Sequence, residues 1–350
     1  MVWRDQVNVL DQNRIFGLLS KGPRLEGYLG QLQRASKLDF ASWGGFAQNY
    51  ADRRIPFEDA AYTPYWEKAP ADLCFIPTFA ASHNGPYLPG AAVKGALRNG
   101  YLFAHLKTLK HDSDQPARRP GEAAERSAIG VGGSDRMRVV SVADSDSLQR
   151  DRLRIFMLRV STLIAKGPGQ YSLGWKLAGR GSVEGRRPED STPSFAEMAV
   201  PGTEFEGAWK ENDFLNTPEV RQSLRWSHPV TRERIFSAAN LYAQKQLELH
   251  ARYAEWSGLD QLAASIGSLQ SRLEAAKSSG GCLLNIGWGG GYLSKSGSIG
   301  MPDEDQRAVL GSLPYYERAI KSGLPFPKTR KIVFLKNKPA TLAGWVELSC

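Results

Sequence analysis

The stretch LPGAAVKGALRNGYLFAHL (residues 88–106) has the spacing of an amphipathic helix that starts just after Pro89. Its predicted buried face consists of Val93, Ala96, Leu97, Gly100, Tyr101 and Ala104. Lys94 and Arg98 lie on another face, within the first turns. Backbone N–H groups already make a helix start positive. We therefore expect Gly90, Lys94 and Arg98 to hold an anion, namely a nucleic-acid phosphate. The alternative is that both cations are solvated, since the dipole effect is only ~0.3–1 kcal/mol per charge.

The charge of the whole chain favours an anionic partner. Its 350 residues carry 45 Lys and Arg against 36 Asp and Glu, a net charge of +9 with a pI near 9.4. A basic balance of this kind favours nucleic acid or an anionic surface as partner.

Cysteine usage and hydropathy indicate a cytoplasmic protein without a membrane segment. Cys74, Cys282 and Cys350 are odd in number and far apart, which is typical of free thiols in a reducing compartment. No apolar run reaches the ~20 residues needed to cross a bilayer, and the polar start does not resemble a signal peptide.

A second candidate site is a glycine-rich loop near the end of the chain. The segment IGWGGGYLSK contains the residues Gly287, Trp288, Gly289, Gly290, Gly291 and Lys295. Glycines free to take positive φ let successive N–H groups face a phosphate, and Trp288 offers a flat surface to a base. The alternative is a tight turn around a core tryptophan. The spacing is not a Rossmann fingerprint, and PGAAVKGAL lacks the GK[ST] of a P-loop.

A third basic segment, PFPKTRK (residues 325–331), places Lys328, Arg330 and Lys331 beside prolines that keep the backbone extended. This shape suits contact with phosphates, although solvated loop charges explain it equally well.

No residue pattern indicates catalysis, a metal or another cofactor. The five histidines are scattered without metal-ligand spacing. Asp144 and Asp146 in ADSDS suit a turn or helix cap as well as a metal site. No Ser or Cys has the context of a nucleophile.

The element pattern predicts an α+β fold in a single domain spanning residues 1–350, because short strands alternate with long helices and insertions. Residues 112–138 and 179–193 are rich in charge, Gly and Pro and are predicted to be mobile insertions. Residues 231–280 are predicted to be a helical insertion.

The sequence resembles the RAMP superfamily of CRISPR-associated proteins. LPGAAVKGALRNGYL resembles the family motif (I/L)PG(S/T)S(L/I)KGA(L/I)R, and IGWGGGYLSKSG resembles its glycine-rich loop. The other matching pieces, in chain order, are VNVLDQNRIFGLL, RMRVVSVADSDSL, FAEMAVPGTEFEG and PFPKTRKIVFLKNKPATLAGWVEL. This succession is similar to the family of the fifth Csm subunit, the RAMP protein of type III-A effector complexes.

The resemblance implies a ferredoxin-like, RRM-like fold of the Cas7 type and a noncatalytic role at the 3′ end of the CRISPR RNA. The helix start and the glycine-rich loop would together clamp guide RNA. The expected partners are the CRISPR RNA, target RNA paired to it, Cas7-type backbone subunits and small helical subunits. The chain departs from the family in lacking a strand and TPxHIGSG ahead of VNVLDQ. Either the first core strand is missing, or the protein starts upstream of Met1.

Two catalytic alternatives stay open at this stage. A Cas6-like endoribonuclease would use His83 or His105 as general base. A Cas7-like backbone subunit would cut target RNA with Asp144 or Asp146 and a metal.

Overall fold

The computed structural model of the chain describes residues 2–21, 23–34, 49–67, 75–106, 125–177 and 184–350. The α-helices are α1 (Gln12–Leu19), α2 (Arg24–Arg34), α3 (Thr63–Glu67), α4 (Gly90–His105), α5 (Pro218–Ser223), α6 (Arg232–Ser257), α7 (Asp260–Ser278), α8 (Asp303–Gly311) and α9 (Pro314–Lys321). The strands are β1 (Val2–Trp3), β2 (Gln6–Leu10), β3 (Ala51–Pro56), β4 (Ala81–Ser82), β5 (Gly85–Pro86), β6 (Val140–Val142), β7 (Leu153–Gly167), β8 (Gln170–Lys176), β9 (Glu184–Gly185), β10 (Ser194–Ala199), β11 (Trp209–Glu211), β12 (Cys282–Asn285), β13 (Thr329–Leu335), β14 (Lys338–Thr341) and β15 (Trp345–Leu348).

The main sheet is built around β7 (LRIFMLRVSTLIAKG), whose residues are almost continuously buried over the first two thirds of the strand. Such a run suits a strand covered on both faces. The strand order is β14-β13-β7-β8-β9, and β10 also pairs with β7. β13 occupies one edge of β7, while β10 and β8 follow one another along the other edge, all antiparallel.

Smaller antiparallel pairs surround this sheet: β1-β2-β3, β6-β11, β12-β15 and β4-β5. The segment VNVL forms most of β2. β1 precedes it but pairs only with Gln6 and Val7. A parallel bridge between Phe57 and Ile155 joins the β1-β2-β3 sheet to β7.

Helix α6 connects the two large hydrophobic clusters. Its first half, with Ile235 and Phe236, packs with α4 and β12, and its second half, with Leu247 and Tyr253, packs beneath the main sheet. Residues 231–280, predicted to be a helical insertion, therefore form a central part of the core. The physical reason is that the buried face of α6 is broad and runs along its 26 residues, so that its two halves enter two different clusters.

The two predicted mobile insertions are only partly described. Residues 125–138 are packed instead of loose, because Ala128, Ile129 and Met137 enter the cluster around α4. Residues 184–193 include β9 and the buried Ser191. The remaining parts, 112–124 and 179–183, lie outside the described residues, as does Cys74.

The α+β class is confirmed, with helices packed against antiparallel sheets. The ferredoxin-like strand arrangement and the single-domain organisation stay predictions. In the part of the chain that the structure describes, every helix is too short or too polar to span a membrane.

Candidate nucleic-acid interface

The start of α4 is neutralised from within the chain. Asp144, in the loop after β6, accepts a hydrogen bond from the Gly90 N–H at 2.8 Å. The fit requires glycine, because a Cβ at position 90 would lie 2.3 Å from the Val142 carbonyl oxygen. Asp144 therefore supplies the anion that the sequence predicts at this helix start. An external phosphate is not needed to explain the glycine and the cations there.

Both cations of α4 also have partners inside the chain. Lys94 Nζ donates to the Val140 carbonyl at 2.6 Å. Arg98 forms ion pairs with Glu125 at 3.1 Å and Asp135 at 3.6 Å. These contacts dock α4 onto β6 and onto residues 125–138. RNA binding by Gly90, Lys94 and Arg98 stays a prediction, and their contacts favour a structural role.

The glycine-rich loop follows β12 and folds tightly. Gly287 and Gly291 have φ of +86° and +64°, a region that favours glycine. At Gly290 a Cβ would lie 2.1 Å from Ser294 Oγ and 2.2 Å from Asn285 Oδ1, so a side chain there requires movement. Asn285 is itself fixed by a hydrogen bond from Nδ2 to the Ala343 carbonyl. The loop conformation therefore depends on glycine at positions 287, 290 and 291.

Trp288 projects from this loop and is not a core tryptophan, since 44 % of it is exposed. Lys331, on β13, places Nζ 3.3 Å from the centre of the indole ring, a cation–π contact. Burial and the nearby charge of Lys295 lower the pKa of Lys331 below its ordinary value. Two segments about 40 residues apart therefore meet at this point.

A cleft of about 790 Å³ lies beside the loop. Its walls include Gly289, Gly290 and Gly291, the 325–331 segment, and residues of α8 and α9. Four lysines line it: Lys176, Lys295, Lys328 and Lys331. Among the described lining residues, Glu125 alone is acidic. The cleft thus presents positive charge to a ligand.

Arg330 also borders this cleft but faces inward and is 8 % exposed. Its Nε donates to His250 Nδ1 at 3.0 Å, and its other nitrogens donate to the carbonyls of Pro327, Thr329 and Leu249. Burial lowers the pKa of Arg330 to about 10. As with α4, these contacts favour a structural role over the predicted phosphate contact.

The fold was compared with known proteins. No known family model matches the sequence, and no curated protein matches it. Two solved structures are similar along nearly the whole chain. A chain of a cryo-EM structure of the Csm–crRNA–target RNA ternary complex of a type III-A CRISPR-Cas system has a TM-score of 0.63 and 17 % identity, covering 98 % of this chain and 92 % of that one. The crystal structure of T. onnurineus Csm5 has a TM-score of 0.56 and 15 % identity, covering 100 % and 94 %.

The chain shares the fold of T. onnurineus Csm5. At these identities the likeness concerns the fold, which agrees with the resemblance carried by the sequence motifs. Within this Csm5-like fold, the segments 287–295 and 325–331 come together as one surface. Gly90, Lys94 and Arg98 are not among the residues that line the cleft. Helix α4 reaches this surface further along, since Asn99 Nδ2 donates to the Ser294 carbonyl at 3.1 Å and Leu102 lines the cleft.

An aromatic wall of the cleft is absent from the sequence prediction. Its members are Tyr292, Tyr315, Tyr316 and Phe326. Tyr316 contacts Tyr292 and Phe326 with ring centres 6.0 and 5.7 Å apart, and Tyr315 contacts Tyr316 at 4.9 Å. The only signal in the sequence is the Tyr-Tyr pair in LPYYERAI. That pair does not show which loop α9 packs against.

The residues considered for catalysis are dispersed in the Csm5-like fold. His105 stacks on Tyr101, and its Nδ1 donates to the Tyr101 carbonyl, while His83 lies exposed in the turn between β4 and β5. Asp144 caps α4, and Asp146 borders a separate cleft with Glu204 and Glu206. Within the described residues, no three His, Cys, Asp or Glu side chains are grouped so as to hold a metal ion.

Proposed function

We propose that the chain is a noncatalytic RNA-binding subunit of a type III-A CRISPR (Csm) effector complex. It binds the 3′ region of the CRISPR RNA, caps the filament of backbone subunits and assists maturation of the CRISPR RNA. The observation that carries this proposal is a fold shared over 98 % of the chain with a chain of a Csm–crRNA–target RNA complex. The lysine-lined cleft in the same fold supports the RNA contact.

The cleft supplies the chemistry that a polyanion needs. Lys295 and Lys328 line the space beside the glycine-rich loop, and phosphate contacts of this kind provide affinity without reading sequence. The partners in this proposal are the CRISPR RNA, target RNA paired with it, and adjacent Cas7-type and small helical subunits.

Co-purification tests the proposal. The tagged full chain is expressed with the other subunits of a type III-A complex and a CRISPR array, and bound proteins and RNA are identified. We expect the large subunits and guide-length RNA to be recovered together. Recovery of the chain without either would overturn the proposal.

A double variant separates assembly from RNA contact. Lys295→Met with Lys328→Met removes two cleft charges and keeps most of the side-chain volume. We expect fewer guides with mature 3′ ends and unchanged recovery of protein partners. Lys210→Met, on the exposed side of β11, is the matched control and leaves guide length unchanged. If the wild-type chain, the double variant and Lys210→Met gave the same distribution of guide lengths, the RNA role of the cleft would be contradicted.

The noncatalytic part of the proposal has its own test. Purified chain is incubated with a repeat-containing precursor RNA, once without metal and once with Mg²⁺. We expect the RNA to stay intact in both. Metal-independent cleavage that is lost in His83→Ala or His105→Ala would indicate a Cas6-like enzyme. Metal-dependent cleavage lost in Asp146→Asn would indicate a Cas7-like enzyme.

A further inference from the structure

Two large aromatic side chains at the cleft are exposed: Trp288 by 44 % and Tyr315 by 86 %. Exposed aromatic side chains that gather at one place generally indicate a binding surface. Tyr315 lines the cleft, and Trp288 stands at its rim in contact with Lys331, which also lines it.

Each ring is held from one side by the protein. Lys331 Nζ lies over one face of the Trp288 indole, and the 44 % exposure of Trp288 leaves part of the ring to a ligand. Tyr315 meets the edge of Tyr316 at an interplanar angle of 88°. Tyr316 is in turn fixed against Tyr292 and Phe326. Both exposed rings are therefore oriented before any ligand arrives.

The charges and size of the cleft select the ligand. Lys295 and Lys328 line the same space as Tyr315, and a positive groove interleaved with aromatic rings is the arrangement that binds single-stranded nucleic acid. A volume of about 790 Å³ is in the range of small-ligand pockets. It is large enough for a few nucleotides of one strand.

We propose that Trp288 and Tyr315 are two stacking platforms, each of which receives one unpaired base of an RNA strand whose phosphates contact Lys295 and Lys328. This inference rests on the proposed function and deepens it, because it names unpaired nucleotides as the ligand of the cleft. The stacking face of Trp288 is the one opposite Lys331.

The test uses the full chain and two fluorescein-labelled 12-nucleotide RNAs, oligo(A) and the same backbone with abasic ribose at the central six positions. Dissociation constants are measured by fluorescence anisotropy at several salt concentrations. We expect the abasic RNA to bind at least about fivefold more weakly, since stacking on an aromatic side chain typically changes affinity by that much or more per base. The salt dependence is expected to be equal, because the phosphates are the same.

Single variants assign the effect to the two rings. Trp288→Ala and Tyr315→Ala should each weaken binding of oligo(A) about fivefold or more and leave binding of the abasic RNA nearly unchanged. Phe214→Ala, which removes an aromatic ring that is 67 % exposed elsewhere on the surface, is the control and changes neither. Trp288→Phe should restore part of the affinity, and circular dichroism melting confirms that each variant is folded.

The outcomes separate this inference from the proposed function. Equal affinity for oligo(A) and abasic RNA, with a steep salt dependence, overturns the stacking platforms and leaves the phosphate contacts standing. An equal loss on both RNAs in Trp288→Ala also overturns them, since it indicates a damaged cleft. Absence of binding to either RNA at low salt overturns both ideas.

Discussion

The start of α4 and the cleft beside the glycine-rich loop look alike in sequence and differ in structure. Each combines glycines with two or more cations. At α4, the Gly90 N–H donates to Asp144 and Lys94 donates to the Val140 carbonyl. Arg98 forms ion pairs with Glu125 and Asp135. In the cleft, Lys295 and Lys328 line an open space and Trp288 is half exposed. The cations of α4 are therefore already used by the fold, whereas those of the cleft line a space that a ligand can enter.

The largest effect that tests this comparison is expected from Gly90→Ala. The new Cβ would lie 2.3 Å from the Val142 carbonyl and 2.5 Å from the Ala143 carbonyl, and backbone atoms cannot move away easily. We expect the free energy of unfolding to fall by about 3 kcal/mol, measured by urea denaturation. Gly95→Ala in the same helix, where nothing lies within 4 Å of the new Cβ, should instead raise it by up to ~1 kcal/mol. Similar effects for both would contradict the close docking of α4.

The next largest effect is expected from Lys94→Met. The variant loses a charged hydrogen bond to the Val140 carbonyl, so we expect a loss of about 1–3 kcal/mol in the free energy of unfolding. The affinity for single-stranded RNA and its salt dependence should not change. Weaker RNA binding by a variant of normal stability would place Lys94 on the RNA after all.

Acidification probes the buried interior behind the cleft. Burial and the adjacent Arg330 charge lower the pKa of His250 well below its ordinary 6.5. Below pH 6.5 the unfolded chain therefore binds a proton that the folded chain does not, and stability falls by up to ~1.4 kcal/mol per pH unit. Above pH 6.5 this contribution to the pH dependence disappears.

His250→Gln isolates that contribution because glutamine can accept from Arg330 without titrating. Urea denaturation of both proteins from pH 7.5 to 5.0 gives the difference in slope. We expect the free energy of unfolding of the variant to change less steeply with pH, by a slope that corresponds to at most one bound proton. Identical slopes would show that His250 is protonated in the folded chain.

A smaller effect is expected from Lys328→Met, which is the matched opposite of Lys94→Met. The stability should be unchanged, since Lys328 lines the cleft and contributes to the sheet through its backbone carbonyl, which accepts from the Leu163 N–H. RNA affinity should fall about threefold at moderate salt, and the slope of log K against log salt should decrease by about one. If Lys328→Met lowered the free energy of unfolding and left the salt dependence of RNA binding unchanged, Lys328 would have the structural role that is assigned to Lys94.

The smallest effect belongs to Arg98→Ala. Its ion pairs with Glu125 and Asp135 involve partly exposed side chains, and such pairs contribute about 0–1 kcal/mol. We expect a loss below 1 kcal/mol that shrinks further in 0.5 M salt, measured by thermal denaturation with and without added NaCl. A loss above 2 kcal/mol would mean that Arg98 carries more of the docking of α4 than its exposure indicates.

Local patterns predicted some elements. The helix of residues 88–106 and the helical character of residues 231–280 both appear. The packing of residues 125–138 was not predicted, because a few apolar side chains among many charges suffice for burial once α4 provides a surface. The central place of α6 was missed for a related reason. Its apolar residues indicate a helix, and only the packing shows that this helix joins two hydrophobic clusters.

The sequence by itself determined the helix of residues 88–106, the helical character of residues 231–280, the basic balance and the motifs that resemble a RAMP protein, since periodicity and glycine placement act over a few residues. The tertiary structure alone decided which cations remain available to a ligand. Lys94 meets a carbonyl 46 positions away and Arg330 meets a histidine 80 positions away. Such partners are set by how the chain folds back on itself, which no local pattern records.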